Sequence, residues 1–545
     1  MQDVLKKELK KALNILGIDG AEMTLEYPAD LAHGDFATNV AMVAAKEAGK
    51  NPRELAEEVV AKLGDIDGIE KIEVAGPGFI NFHLSRGYFA DIAAKVDDDW
   101  GKSDTYKGHK EIFEYTDPNV FKVFHIGHLM PNVIGESLSR IAKFLGADVR
   151  QVNYQGDVGL HIAKALWGLS HDASLDVKNH DDLGKAYVAG NKAYEEDDDA
   201  KKEITNINKK VYAKDSSVYE LYKTGRQTSL DHFEELYEIL GTKFDQYFFE
   251  SEVWEAGKAC IEEGLKKGIF EESDGAIVFR GEKYGLHTRV FITSEGLPTY
   301  EAKDFGLVIA KNEYFPFDYS VIVTGKEQKE YLKVVFRAIQ EFNPSFKGKL
   351  KHVYHGLMRL PEGKMASRAG NVVSGERLIN DTISLSKERN SDLDVARQVA
   401  VAAIKYQILK QSLGKDMVYD QEQALSLEGD SGPYLQYTYV RAKSVLEKAG
   451  NNRATNRKVV PESIPEFERL MPRFPSVVER AANEYEPHHV TTYLTELASA
   501  FNSWYARERI IGDEYETYKL VLTRAFATTM KNGLWLLGIE APEKM

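Results

Sequence analysis

The stretch from residue 110 to residue 154 constrains the fold most. Glu111–Thr116 reads as a short strand and Asp117-Pro118-Asn119 as a turn. His128–Leu145 reads as a helix with Ile134, Leu138, Ile141 and Leu145 on one face and Gly146 as its stop. Asp148–Tyr154 reads as a second strand. Strand, crossover helix and strand make the building block of a parallel sheet. Tyr319–Thr324 and Lys351–Leu360 are expected to add strands. The expected fold class is therefore α/β, with a doubly wound parallel sheet. A polar, helical insertion is expected over about 170–250, and its run Glu195-Glu196-Asp197-Asp198-Asp199 followed by Lys201-Lys202 reads as a solvated helix or loop.

The flanking segments differ in kind. Val4, Leu5, Leu9, Ala12, Leu13 and Leu16 have helical spacing before Gly17, and a second helical stretch covers about 39–63. Two short strands then surround the turn Gly76-Pro77-Gly78, giving a compact α+β unit that ends near Asp104. From about Asp392 onward the pattern is almost purely helical, through Val395–Leu409, Tyr434–Leu446, Thr491–Ile510 and Tyr518–Leu537. The expected domains are 1–105, 106–390 and 391–545, in keeping with about three domains for 545 residues.

Composition excludes several classes. A formal charge of −15 argues against a general nucleic-acid coat protein, though not against a local basic face. Cys260 is the only cysteine, which rules out an intrachain disulfide framework and a cysteine-rich zinc site. No apolar run approaches a membrane span, and the N-terminus lacks a signal-peptide core. A soluble, cytoplasmic protein is expected.

Two loops carry the chemistry. The first runs from Asp117 to His128 and joins a strand to a helix. Gly127 between His125 and His128 lets a nucleotide approach the backbone, and a helix N-terminus offers free N–H groups to phosphate. The two imidazoles can donate to phosphate oxygens as charge builds there. A helix cap or a metal site is the plainer alternative; nearby carboxylates or cysteines at ligand spacing are lacking for the latter. The second loop, Gly363-Lys364-Met365-Ala366-Ser367-Arg368-Ala369-Gly370-Asn371, suits a phosphate clamp. Alone it would read as a charged surface loop. In this order, on successive strand ends of a doubly wound sheet, the two loops point to a nucleotide site.

This pair resembles the His-Ile-Gly-His and Lys-Met-Ser-Lys-Ser signatures of class I aminoacyl-tRNA synthetases. The flanking runs GHLMPNVIGESLSRIAKFLGADVRQVNYQGDVGLHIAKALWG, TYEAKDFGLV, VTGKEQKEYL, LSLEGDSGPYLQYTYVRAKSVL and LLGIEAPEKM are similar to arginyl-tRNA synthetases, as are the N-terminal HGDFATNVAM and GPGFINFHL. The resemblance covers nearly the whole chain. It implies a Rossmann-type catalytic domain, an added N-terminal domain that contacts tRNA, and an all-α anticodon-binding C-terminal domain. In one departure, Ser367 stands where the class has its second lysine. The family's compensating lysine before the first signature matches Lys122.

The resemblance implies an arginine–tRNA ligase with ATP, L-arginine and arginine tRNA as substrates. Magnesium is expected to be held mainly through the ATP phosphates, with no structural metal and no membrane partner. The expected state is a monomer. Catalysis and ATP binding fall to His125, Gly127, His128, Lys364, Met365, Lys122 and Arg368. A forked guanidinium wants carboxylates, and Tyr300 and Asp304 share a helix face. By resemblance Asp304 takes the guanidinium, Tyr300 packs against the arginine, and Gln328 and Asn119 hold its polar groups; Glu114 and Glu250 are further candidates for that pocket. The implied chemistry is attack of the arginine carboxylate on the α-phosphate, then transfer to a terminal ribose hydroxyl of tRNA.

Residues 431–458 supply a basic face, with Arg441, Lys443, Lys448, Arg453, Arg457 and Lys458 against Glu447 alone. Tyr434, Tyr437 and Arg441 share a helical face and can stack on loop bases, although the tyrosines could equally be core. A tRNA-binding paralogue without catalysis is disfavoured, because His125, Gly127, His128 and Lys364 are all present. The C-terminal helical region opposes a small nucleotidyltransferase, and a cysteine-specific relative would need Cys/His zinc ligands.

Overall fold

A computed structural model describes residues 1–20, 22–28, 30–361, 374–450 and 460–545. Lys364, Met365, Ser367 and Arg368, and likewise Arg453, Arg457 and Lys458, lie outside the described residues. The chain forms two units. One comprises Met1–Trp100, Arg441–Phe474 and Glu496–Thr529; the other comprises Gly101–Val440, Pro475–Thr495 and Met530–Met545.

In the first unit the helix Gln2–Ile15 buries Leu5, Leu9, Ala12 and Leu13. The helical stretch expected over 39–63 is two helices, Val40–Ala48 and Pro52–Leu63. Gly49 ends the first at φ +63°, and Asn51 caps the second with Pro52 in its first turn. Strands β1 (Phe36–Thr38), β2 (Ile69–Ala75) and β3 (Phe79–Leu84) form an antiparallel sheet of order β1-β3-β2. Strand β1 was not anticipated; three residues are too few to show alternation. Later residues of this unit pack by aromatic rings, Phe501 stacking on Phe526 with centroids 3.8 Å apart. Arg86 pairs with Glu468 at 2.6 Å, and Arg469 with Asp35 at 2.8 Å.

The second unit is built on β4 (Lys110–Glu114), β5 (Asp148–Gln155), β6 (Gln246–Phe249), β10 (Tyr319–Gly325) and β11 (Leu350–His355). These strands are all parallel, in the order β11-β10-β4-β5-β6. A small antiparallel sheet of β7 (Glu271–Ser273), β8 (Ala276–Phe279) and β9 (Arg289–Ile292) lies between β6 and β10 in sequence. The central strands are buried on both faces, as Phe113, Val152, Val321 and Val323 show. Strand β6 was not anticipated, because its four residues close a segment that otherwise reads as helix. The strand expected over 351–360 stops at His355 and resumes only as Met358–Arg359. Strand order reverses between β4 and β10, so the crevice for a ligand lies at their carboxyl ends. The two signature loops follow β4 and β11, which are separated by β10. They are not on adjacent strands as expected.

The insertion is helical: His180–Glu196, Asp198–Tyr212 and Ser216–Leu240. The acidic run is solvated as expected, all five of its residues being exposed, and it also forms a helix junction. Asp197 ends one helix and caps the next, accepting from the backbone N–H groups of Asp199 and Ala200.

Candidate active site

The loop between β4 and the helix Ile126–Phe144 is strained. Thr116, Asp117 and Phe121 have φ of 82°, 45° and 63°, a region that β-branched and bulky residues rarely enter. Several bonds hold it. Asn132 Nδ2 donates to Thr116 Oγ1 at 3.0 Å, and Phe121 N donates to Ser229 Oγ at 2.9 Å. Tyr154 N donates to Asp117 at 2.8 Å. Val120 N donates to the Gly156 carbonyl at 3.1 Å. A Cβ on Gly156 would lie 2.1 Å from Asn119 Oδ1, so the missing side chain makes room for Asn119.

His125 is the N-cap of the helix, and its backbone N–H donates to His128 Nδ1 at 3.3 Å. That bond leaves the His128 proton on Nε2. The two rings stack 3.6 Å apart. A Cβ on Gly127 would lie 2.9 Å from the His125 ring, so this glycine serves the stacked pair as well as any ligand. Burial, with help from the Lys122 charge, holds His125 at about 4. Burial, His125 and Lys122 hold His128 well below the ordinary histidine value. Both rings are therefore neutral hydrogen-bond donors near pH 7.

The far side of this helix is tied to the end of the chain. Ser137 Oγ donates to the Leu536 carbonyl at 2.9 Å, and Arg140 to the Trp535 carbonyl at 3.1 Å. At the other end, Gly375 N donates to the Phe124 carbonyl at 2.9 Å, and Ser374 bridges to His125. The chain thus re-emerges from 362–373, the segment holding the second signature, directly against the first.

A cavity of about 260 Å³ opens at the ends of β4 and β10, with His128, Gly127 and Asn119 in its wall. Glu114, Asp117, Glu250 and Asp304 also line it. Lys311 neutralises Glu114 at 2.5 Å, and Lys303 neutralises Glu250 at 2.6 Å. Asp117 and Asp304 have no such ion pair among the described residues. Asp304 accepts from the Tyr331 hydroxyl at 2.6 Å. Burial, with the fields of Glu114 and Glu250, lifts Asp304 to about 7, although the Tyr331 bond opposes the shift. Burial and then Glu114 lift Asp117 well above the carboxylate range. Carboxylates held in this way favour a cationic ligand.

The helix Tyr300–Tyr314, which carries Asp304, is set by backbone contact. A Cβ on Gly306 would lie 2.1 Å from the Val253 carbonyl, and one on Gly257 would lie 1.9 Å from the Ala302 carbonyl. Only glycine at both positions lets this helix lie against Glu250–Lys266.

Family models match the chain in three consecutive pieces. Residues 2–84 match the arginyl tRNA synthetase N terminal domain, and 93–421 match the class I (R) tRNA synthetase catalytic domain. Residues 435–545 match the DALR anticodon binding domain. The arginine–tRNA ligase of Halothermothrix orenii is 31% identical over 98% of both chains. That of Clostridium botulinum is 31% identical over 97% of both. The chain belongs to the arginyl-tRNA synthetase family. Its fold agrees: the Thermus thermophilus arginyl-tRNA synthetase superposes over 100% of both chains with a TM-score of 0.83 at 23% identity. The Plasmodium falciparum arginyl-tRNA synthetase gives 0.83 over 99% and 98% of the two chains at 22% identity.

Within this arginyl-tRNA synthetase fold, the cavity gathers Gly127, His128, Glu114, Asn119, Glu250, Tyr300, Asp304 and Gln328 from the expected set. Tyr300 is 57% exposed and stands at the mouth. Lys122 lies outside the cavity wall, its ammonium 5.0 Å from the centre of the Tyr187 ring in the insertion. The expected tRNA residues lie on the helix Gly432–Ala449. Arg441 sits over the Tyr505 ring at 5.3 Å and bonds Asn502, while Lys443 lies 4.0 Å from Glu447. The sequence reading missed Asp117, Tyr331, Lys303 and Lys311 as site residues. Lys303 adjoins Asp304 in the quoted TYEAKDFGLV run, but nothing local pairs it with Glu250.

Proposed function

We propose that this chain ligates L-arginine to its tRNA in two steps at this cavity. The observation that carries the reading is Asp304, a carboxylate without an ion pair in the same cavity as His128. Asp304 receives the arginine guanidinium. Tyr300 covers the side chain at the mouth, and Asn119 and Gln328 bind the polar end. Glu114 and Glu250, each held by a lysine, shape the wall rather than carry the cation.

ATP enters as its magnesium complex, with the metal held mainly by phosphate oxygens. The arginine carboxylate attacks the α-phosphorus, the α–β phosphoanhydride bond breaks, and pyrophosphate leaves. His128 Nε2–H and His125 donate to the phosphates as charge builds; Lys122, with Lys364, Met365 and Arg368 of the second signature, completes their cradle. A terminal ribose hydroxyl of the tRNA then attacks the arginyl carbonyl, and AMP leaves. Tyr434, Tyr437, Arg441 and Lys443 contribute to the tRNA surface. No helix among the described residues is long and apolar enough to cross a membrane. We also take the enzyme to act as a monomer in the cytoplasm.

ATP–pyrophosphate exchange with each amino acid, with and without total tRNA, tests this reading. Exchange with arginine supports it, and exchange with another amino acid alone refutes it.

A further inference from the structure

The insertion carries two histidines that the chemistry above does not use. His180 opens the helix His180–Glu196, and His232 lies in the helix Ser216–Leu240. Their rings stack with centroids 3.9 Å apart and planes 20° apart. Glu376 sits in the first turn of the helix Gly375–Arg389 and lies 3.0 Å from His232 Nε2. One ligand atom from each of the three residues falls within 4.8 Å of the others.

His180 supplies a second observation. It is only 8% exposed, and neither ring nitrogen completes a hydrogen bond, although the Lys122 backbone lies near enough to favour a proton on the ring. A buried imidazole with an unused nitrogen is costly unless something binds it.

We propose that His180, His232 and Glu376 bind a divalent transition-metal ion, with zinc the best fit, tying the helical insertion to the start of the helix Gly375–Arg389. Two imidazoles and one carboxylate form a donor set that zinc takes, leaving a position for water. Magnesium and calcium, which want oxygen ligands, fit it poorly. Stacked rings aim their nitrogens along nearly parallel planes. To share one centre, the more exposed His232 turns out of the stack and exchanges its bond to Glu376 for the metal. Glu235, 3.9 Å from His232 Nδ1, and Asp181 beside His180 add negative field.

The location gives the ion a consequence. Ser374, two residues before Glu376, pairs with His125, so the ion would steady the same anchor. This departs from the sequence expectation of no structural metal.

The test is zinc titration of the full-length, chelator-treated protein against a chromophoric zinc indicator, in buffer without phosphate. About one zinc per chain is expected, with a rise in melting temperature. Cobalt should give an absorption spectrum of nitrogen and oxygen ligation. His180→Ala should weaken zinc binding at least about tenfold, since even outer partners of metal ligands are worth that much. Glu376→Gln, which keeps the side-chain volume, should do the same and guards against a folding artefact. The chain has 14 histidines, so location matters as much as uptake. Absence of saturable binding, or binding unchanged in both variants, would leave only a stacked histidine pair and overturn the proposal.

Discussion

Asp304 accepts a 2.6 Å hydrogen bond from the Tyr331 hydroxyl and has no cationic partner among the described residues. Glu114 and Glu250, in the same wall, have already found lysines. The cavity therefore keeps an unmet demand for positive charge at Asp304 and Asp117, set apart from the two that are met within the fold. Asp304→Asn should keep the fold and raise the arginine KM about 100-fold or more, since removing one partner of a desolvated ion pair costs ~3–5 kcal/mol. Pyrophosphate exchange at varied arginine measures it.

The same carboxylate sets a pH dependence. Free Asp304 titrates at about 7, above the ordinary carboxylate value, so it is mostly protonated at pH 6. Bound guanidinium favours the ionised form. Arginine binding should therefore release a proton below pH 7, and Kd should rise toward about tenfold per pH unit well below that point. Calorimetry in buffers of different ionisation enthalpy reads both effects. A Kd that is flat from pH 8 to pH 6 would contradict the assignment.

The histidine pair should behave oppositely. His125 sits near 4 and His128 lower than usual, so neither changes charge over the working range. The exchange rate at saturating arginine should show no histidine inflection between about pH 6 and 8. His128→Ala should lower that rate by about 10²–10³ while tRNA binding persists, as expected for a lost transition-state donor. Unchanged turnover would remove the donor role.

Much of the site was legible in the sequence because its chemistry is local. Gly127 between two histidines shows in the spacing, and so does the helix face that Tyr300 shares with Asp304; the roles of those two residues came from the family resemblance. The lysine partners were not legible. Lys311 meets Glu114 across 197 residues, a pairing fixed only by sheet order. The left-handed Thr116 was hidden too, since nothing in Tyr115-Thr116-Asp117 demands it; Asn132, from the next helix, holds its side chain. Strands β1 and β6 escaped because three or four residues cannot display a period.

Gly306→Ala tests how the arginine wall is positioned. The new Cβ would meet the Val253 carbonyl at 2.1 Å, which only a shift of the helix carrying Asp304 can relieve. Overpacking of this kind costs ~1–3 kcal/mol, so the variant should melt earlier and show a raised arginine KM. A normal KM would mean that the helix is held elsewhere.

Lys303→Met tests the neutralised wall. It strands Glu250 without its cation in a buried site, which should cost ~3–5 kcal/mol in denaturant unfolding. The double change with Glu250→Gln should recover much of that loss.

Amino-acid-dependent ATP–pyrophosphate exchange, run in the presence of total tRNA, bears on the whole reading. Label should enter ATP with L-arginine and with no other amino acid, and the signal should fall away in Asp304→Asn at ordinary arginine concentrations. Exchange driven equally well by lysine or another amino acid, or an Asp304→Asn protein as active as the parent at low arginine, would contradict it.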